Sequence, residues 1–98
     1  FRFKKGNISI GNNVIIAQYV SVITHSYNYN LNENIKDQSM YSKDVSIGDG
    51  AWIGAYSVIM PGVKIGKGAI IGVHSMVNKN VPDNEIWAGI PAKKIKSR

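Results

Sequence analysis

Branched aliphatic residues return every six positions through most of this 98-residue chain. Taking Ile10 as position one, hexads begin at Ile10, Ile16 and Val22, break off, and resume at Ile47, Ile53, Ile59, Ile65, Ile71 and Val77. Position two is Gly or Ala in six cases, at Gly11, Ala17, Gly48, Gly54, Gly66 and Gly72. Position five is small or β-branched throughout: Val14, Val20, Ser26, Ala51, Ser57, Val63, Ala69, Ser75 and Val81. A six-residue spacing rotates around a helix and leaves no continuous apolar face. It suits short strands joined by tight turns, with a large and a smaller residue alternating inward and Gly supplying turn conformations that a Cβ resists. One such unit cannot bury its apolar side chains alone, whereas stacked turns of chain bury them in ladders of like residues. Strands of an ordinary sandwich would show variable spacing and hairpin signals such as Asn-Gly. The expected fold class is all-β, built as a stack of coils.

The net charge of +6 is unevenly placed. Lys93, Lys94, Lys96 and Arg98 fall in the last six residues, and Arg2, Lys4 and Lys5 in the first five. Without the four tail charges the balance is +2. That is a local anion site or a solvated tail, not a basic face interleaved with aromatics, so no nucleic-acid partner is expected. There is no apolar run long enough to span a bilayer and no signal-peptide pattern. The absence of cysteine excludes disulfide staples and thiolate metal sites, and a cytoplasmic setting fits best. Because the chain opens on Phe1 rather than Met, an N-terminal part is expected to precede it.

The segments "ISIGNNVIIAQYVSV" and "VSIGDGAWIGAYSVIMPGVKIGKGAIIGVHSMVNKNVPDNEIWAGIPAKKI" resemble the hexapeptide-repeat acyltransferases. The likeness is nearest to the sugar O-acetyltransferase branch, which includes galactoside, maltose and capsular-polysaccharide enzymes. It covers nearly the whole chain, with "WIG", "PGV.IG", "IG..S.V" and "WAGIPAKKI" in family order. The resemblance implies a left-handed parallel β-helix with three hexads per coil, an exception to the right-handed crossover rule. Residues 4–27 and 41–82, 66 in all, count as regular, about three and two-thirds coils. Residues 1–98 then form the C-terminal portion of a single acyltransferase domain, with a tail over 83–98. So short a prism leaves ends and faces exposed, and the resemblance implies closure as a homotrimer with active sites between subunits.

The rhythm fails over residues 28–40, "NYNLNENIKDQSM", which hold four asparagines and no proline or glycine. This is a polar excursion rather than a strand, and a loop of that length inside a compact solenoid is usually functional or disordered. His25 stands at its start, at position four of its hexad, so its side chain is expected to point outward at a corner. The resemblance implies that His25 is the catalytic histidine. A sliding alignment brings Tyr27 to that place, but a phenol is a poor base at neutral pH, so His25 is retained. His74, also at position four but in a regular coil, reads as an exposed surface residue.

The implied reaction needs one base with a pKa near the working pH, which imidazole supplies. His25 would take the proton from an acceptor hydroxyl as that oxygen attacks the thioester carbonyl of acetyl-CoA, in direct transfer without a covalent enzyme intermediate. Backbone N–H groups at a turn could stabilise the resulting oxyanion, and the N–H of Ala55 is the candidate for gripping the thioester or the pantetheine arm. The second imidazole nitrogen must be held, by a backbone carbonyl or by Glu33. Further CoA contacts carried over by the resemblance are the backbone of Val73 together with Asn78 and Lys79; Asn78 replaces the family's usual Thr. Lys93 and Lys96 match basic positions used for CoA phosphates, and as lysines they act as point charges rather than bidentate forks. Gly89 and Pro91 would bend the tail as it leaves the prism. Trp52, at position six, faces outward, where an indole suits either a sugar ring or subunit packing. Trp87 packs on adenine or pins the tail.

The function expected is therefore acetyl-CoA-dependent O-acetyl transfer to a sugar or glycan hydroxyl, without a metal. N-acetylation of an amino sugar uses nearly the same machinery. A non-catalytic trimerisation or scaffold module is the alternative of another class, against which the loop-borne His25 and the tail signature both argue. The γ-type carbonic anhydrases share the repeat but need three histidines around zinc, and this chain has two.

Overall fold

The computed structural model describes residues 6–98. The hexad at 4–9 lies partly outside these residues, and Arg2, Lys4 and Lys5 wholly so. The chain winds as a left-handed parallel β-helix. Its first coil is β1 (Ile8–Ile10), β2 (Ile15–Ile16) and β3 (Ser21–Val22). An excursion follows, with β4 (His25–Tyr27), a 3-10 turn (Ile35–Asp37) and β5 (Met40–Ser42). The second coil is β6 (Val45–Ile47), β7 (Trp52–Ile53) and β8 (Val58–Ile59), and the third is β9 (Lys64–Ile65), β10 (Ile70–Ile71) and β11 (Met76–Val77). The chain ends in β12 (Glu85–Gly89) and β13 (Ala92–Ser97). Three sheets form the prism faces: β1-β6-β9 on the first, β2-β7-β10-β12-β13 on the second and β3-β8-β11 on the third.

Position-one residues become the core. Ile47, Ile53, Ile59, Ile65, Ile71 and Val77 are each at most 2% exposed, with Ala51, Ser57, Val63, Ala69 and Ser75 beside them. The two buried serines stay satisfied, since both hydroxyls donate to the Gly72 carbonyl, at 3.0 and 2.7 Å. Ile10 and Ile16 of the first coil are 52% and 39% exposed on the end of the prism. Such a ladder is dry only where a coil lies on both sides.

Position-two glycine serves close approach rather than turn conformation. Left-handed backbone occurs instead at position four, at Asn13, Tyr19, Tyr56, His74, Gly50, Gly62 and Gly68. A Cβ on Gly54 would lie 2.7 Å from the Val73 nitrogen, and one on Gly48 2.8 Å from the Lys67 nitrogen. The coils touch there through backbone alone. At the corner between the first and second faces side-chain oxygens also cap the preceding coil: Asp49 Oδ1 accepts the Asn12 N–H and Asp83 Oδ1 the Lys67 N–H, both at 2.8 Å.

Two hexads depart from the expected register. Ser26 is not an inward core residue but pairs with Tyr41 in the antiparallel β4–β5 hairpin. Later coils are offset by 18 residues (Ile47 opposite Ile65), and coils across the excursion by 37 (Ile10 opposite Ile47), so the excursion carries 19 extra residues. Val81 pairs with Ile65, an offset of 16. It therefore occupies position one, not position five, because the turn at 78–80 is two residues short.

The expectation that the tail leaves the prism is corrected. β12 continues the second face, pairing in parallel with β10, and β13 folds back antiparallel along it after Gly89 (φ +108°) and the cis Ile90–Pro91 bond. Trp87 lies over Ile71 and packs on the core, so it closes the end of the prism and pins the tail. Its Nε1–H donates to Glu85 (2.9 Å), which also pairs with Lys94 at 3.3 Å. The Trp87 hydrogen bond and, after it, Lys94 hold the Glu85 carboxyl below the usual carboxylate range.

Candidate active site

His25 opens the hairpin and is half-buried. The register sets His25 opposite Ser42 and Tyr27 opposite Met40, and the Lys43 N–H donates to the Thr24 carbonyl at 2.9 Å. The polar excursion is thus anchored at its base. Its tip is held by Gln38, only 6% exposed, whose Oε1 accepts the Asn30 N–H (2.8 Å) while Nε2 donates to the carbonyls of Asn30 (3.0 Å) and Glu33 (3.2 Å). One carboxamide replaces the ladder bonds that the irregular segment lacks.

Thr24 is buried, and its Oγ1 lies 2.9 Å from His25 Nδ1. The sequence pointed to a backbone carbonyl or Glu33 for this nitrogen, and the neighbouring hydroxyl was missed. Its signal was a polar β-branched residue directly before the histidine, where the register turns its side chain inward. In the tautomer with hydrogen on Nδ1, the Thr24 oxygen accepts it and Nε2 keeps a lone pair.

Ala55 and Val73 stand at the corner between the second and third faces, in successive coils. Among the described residues neither N–H donates to another backbone group, while the next residues are engaged: the Tyr56 N–H donates to Gln18 (3.1 Å) and the His74 N–H to Ala55 (2.9 Å). Tyr19, Tyr56 and His74 stack along this corner, with centroids 5.0 and 4.9 Å apart. His74 is a surface residue, and it also completes an aromatic column. Trp52 is 49% exposed and points outward on the second face, in register with Ile15, Ile70 and Ile86.

Lys93 and Lys96 lie on the same face. In a regular strand residues three apart point to opposite sides, but the β12–β13 register slips between Ile86 and Trp87 and leaves Ile95 unpaired. Lys93 then sits opposite Ala88 and Lys96 opposite Ile86, so both share the outward side with Ile86, while Lys94 turns inward to Glu85. Asn78 and Lys79 are exposed in the short turn after β11, at the corner between the third and first faces. That is the corner His25 leaves from.

The predicted site residues therefore form two groups. Ala55, Val73, Trp52, Lys93 and Lys96 lie on the second face and its corner with the third. His25, Asn78 and Lys79 lie across the third face, a separation on the order of 15 Å for one six-residue edge. Among the described residues no group of three or more His, Asp or Glu could hold a metal ion, and no helix is long and apolar enough to cross a membrane.

A three-faced coil of hexads interrupted by one histidine-bearing excursion is a hexapeptide-repeat architecture. Residues 44–79 match the bacterial transferase hexapeptide family (six repeats). It is 42% identical over 91 residues to galactoside O-acetyltransferase of Escherichia coli (strain K12), covering 91% of this chain and 43% of that protein. A solved galactoside acetyltransferase in complex with coenzyme A superposes with a TM-score of 0.85 at 37% identity, over 92% of this chain and 44% of that one. A variant of AntD, an N-acyltransferase from Bacillus cereus in complex with dTDP-4-amino-4,6-dideoxyglucose and coenzyme A, has a TM-score of 0.84 at 28% identity, over 93% and 52%. The chain spans about half the length of the curated relatives it matches.

Proposed function

We propose that this chain is the C-terminal portion of an acetyl-CoA-dependent O-acetyltransferase acting on a sugar or glycan hydroxyl in the cytoplasm. The observation that carries the proposal is an imidazole at the foot of an ordered excursion, with Nδ1 held by Thr24. His25 Nε2 accepts the acceptor's hydroxyl proton as that oxygen bonds to the acetyl carbon. The carbon–sulfur bond of the thioester breaks, and His25 returns the proton to the departing thiolate. No further nucleophile is required. The Ala55 and Val73 N–H groups are suited to the carbonyl and amide oxygens of the donor, and Lys93 with Lys96 to its phosphates. Since these groups lie across the third face from His25, one site takes its base from one protomer and its donor-binding groups from a neighbour. A cyclic trimer places that pair of corners together three times. Trp52 borders the same cleft, with its indole toward the acceptor.

The test is release of free thiol from acetyl-CoA in the presence of a panel of sugars, with the product's ester or amide identified by mass. Ester formation on a hydroxyl supports the proposal. Exclusive amide formation on amino sugars would replace it with N-acetylation, the second reading, which the likeness to AntD favours. No transfer to any acceptor leaves a scaffold module.

Two expected results follow from the site groups. Thr24→Val keeps the shape and removes the hydroxyl. It should lower kcat about five- to tenfold, the worth of one hydrogen bond, with Thr24→Ser restoring most of the rate. Replacing Lys93 and Lys96 together by Ala should raise KM for acetyl-CoA about tenfold by loss of two surface phosphate contacts, with little change in kcat; an unchanged KM removes both from the donor site.

A further inference from the structure

We propose that the cavity at the base of the hairpin binds an acceptor sugar that carries a carboxylate or a phosphate, and that Lys43 reads this charge. The inference rests on the acetyl-transfer reading only in taking the bound sugar as the acetyl acceptor. The cavity has a volume of about 650 Å³ and is lined by Asn28, Tyr29, Asn30, Tyr41, Ser42 and Lys43. That volume suits a mono- or disaccharide. Carboxamides and hydroxyls match a ligand rich in hydroxyl groups, and tyrosine rings match the apolar face of a pyranose.

The cavity adjoins the proposed base. Ser42 is the register partner of His25, so the two side chains share one side of the hairpin. The Lys43 N–H is bound to the carbonyl of Thr24, the residue before His25. Lys43 itself is placed rather than loose. Its stem runs over Gly62 (φ +83°), where an added Cβ would lie 3.1 Å from Lys43 Cδ, and its Nζ stands 5.6 Å from the centre of the Tyr41 ring. Among the described residues its ammonium makes no ion pair, and the adjacent Asp44 carboxylate accepts the Asn7 N–H at 2.9 Å. A neutral sugar offers this cation little more than water does. An anionic substituent meets a positive charge whose stem is already ordered.

The experiment measures equilibrium binding of glucose, glucuronate, glucose 6-phosphate and inorganic phosphate to the protein, without acetyl-CoA, for the wild type, Lys43→Gln and Lys64→Gln. Lys64 is an exposed lysine on the first face and serves as the control. The expected result is that at least one charged sugar binds ten or more times tighter than glucose. Lys43→Gln should remove that preference and Lys64→Gln preserve it. Which charged sugar binds tighter distinguishes carboxylate from phosphate. Equal binding of glucose and both charged sugars, a preference that survives in Lys43→Gln, or inorganic phosphate binding as tightly as the sugars would each overturn the inference. Binding carries the result, so charge-selective binding without acetyl transfer would refute the transferase reading and leave the sugar site standing.

Discussion

Replacing His25 by Ala is expected to reduce kcat for acetyl transfer by about 10²- to 10⁴-fold, the usual contribution of one positioned general base. The groups proposed to bind the donor lie on another corner, so KM for acetyl-CoA should move little, and circular dichroism should be unchanged. His74→Ala supplies the comparison, since it removes the other imidazole from an exposed corner and should leave the rate near that of the parent. If His25→Ala turns over at the parent rate, the base lies elsewhere and the excursion has another purpose.

The second large effect concerns the core. Ile71 is 1% exposed and lies between Ile53 of the coil before and Trp87 of the closing strand. Ile71→Ala should cost about 2–5 kcal/mol, combining lost transfer energy with a cavity that stacked backbones cannot collapse to fill. Leu31→Ala, at a fully exposed position on the excursion, should cost close to nothing. Urea unfolding of both variants gives the comparison, and equal midpoints would contradict the inward assignment of the position-one ladder.

Much of this architecture was legible because the repeat is a direct image of the coil. Ile47, Ile53 and Ile59 recur every six residues since each coil has three faces, and all three are buried. The limits of the repeat were harder to read. Counting by sixes placed Ser26 in the core and Val81 at the wrong position, because only pairing with Tyr41 and with Ile65 fixes where a coil ends. The glycines were located correctly for the wrong reason: their constraint comes from the backbone of the next coil, which a local reading of turns does not see. In the candidate site, His25 stood out by type and place. Thr24 did not, since its importance lies in a 2.9 Å contact rather than in spacing. The tail seemed to depart from the prism because its first strand lacks the hexad signature, yet Trp87 supplies the bulk that completes the stack.

The unpaired Ile95 shows how one residue governs which charges a strand displays. Basic residues three apart ordinarily suggest adjacent turns of a helix; here an extra residue shifts the phase of the pleat and produces the same pairing from extended chain. Deleting that residue would restore the regular alternation of the pleat and leave Lys96 opposite Ile86, so the two lysines would share the outward side at a spacing of two instead of three. The spacing of the two lysines and the irregularity between them therefore form one feature, and neither can vary alone.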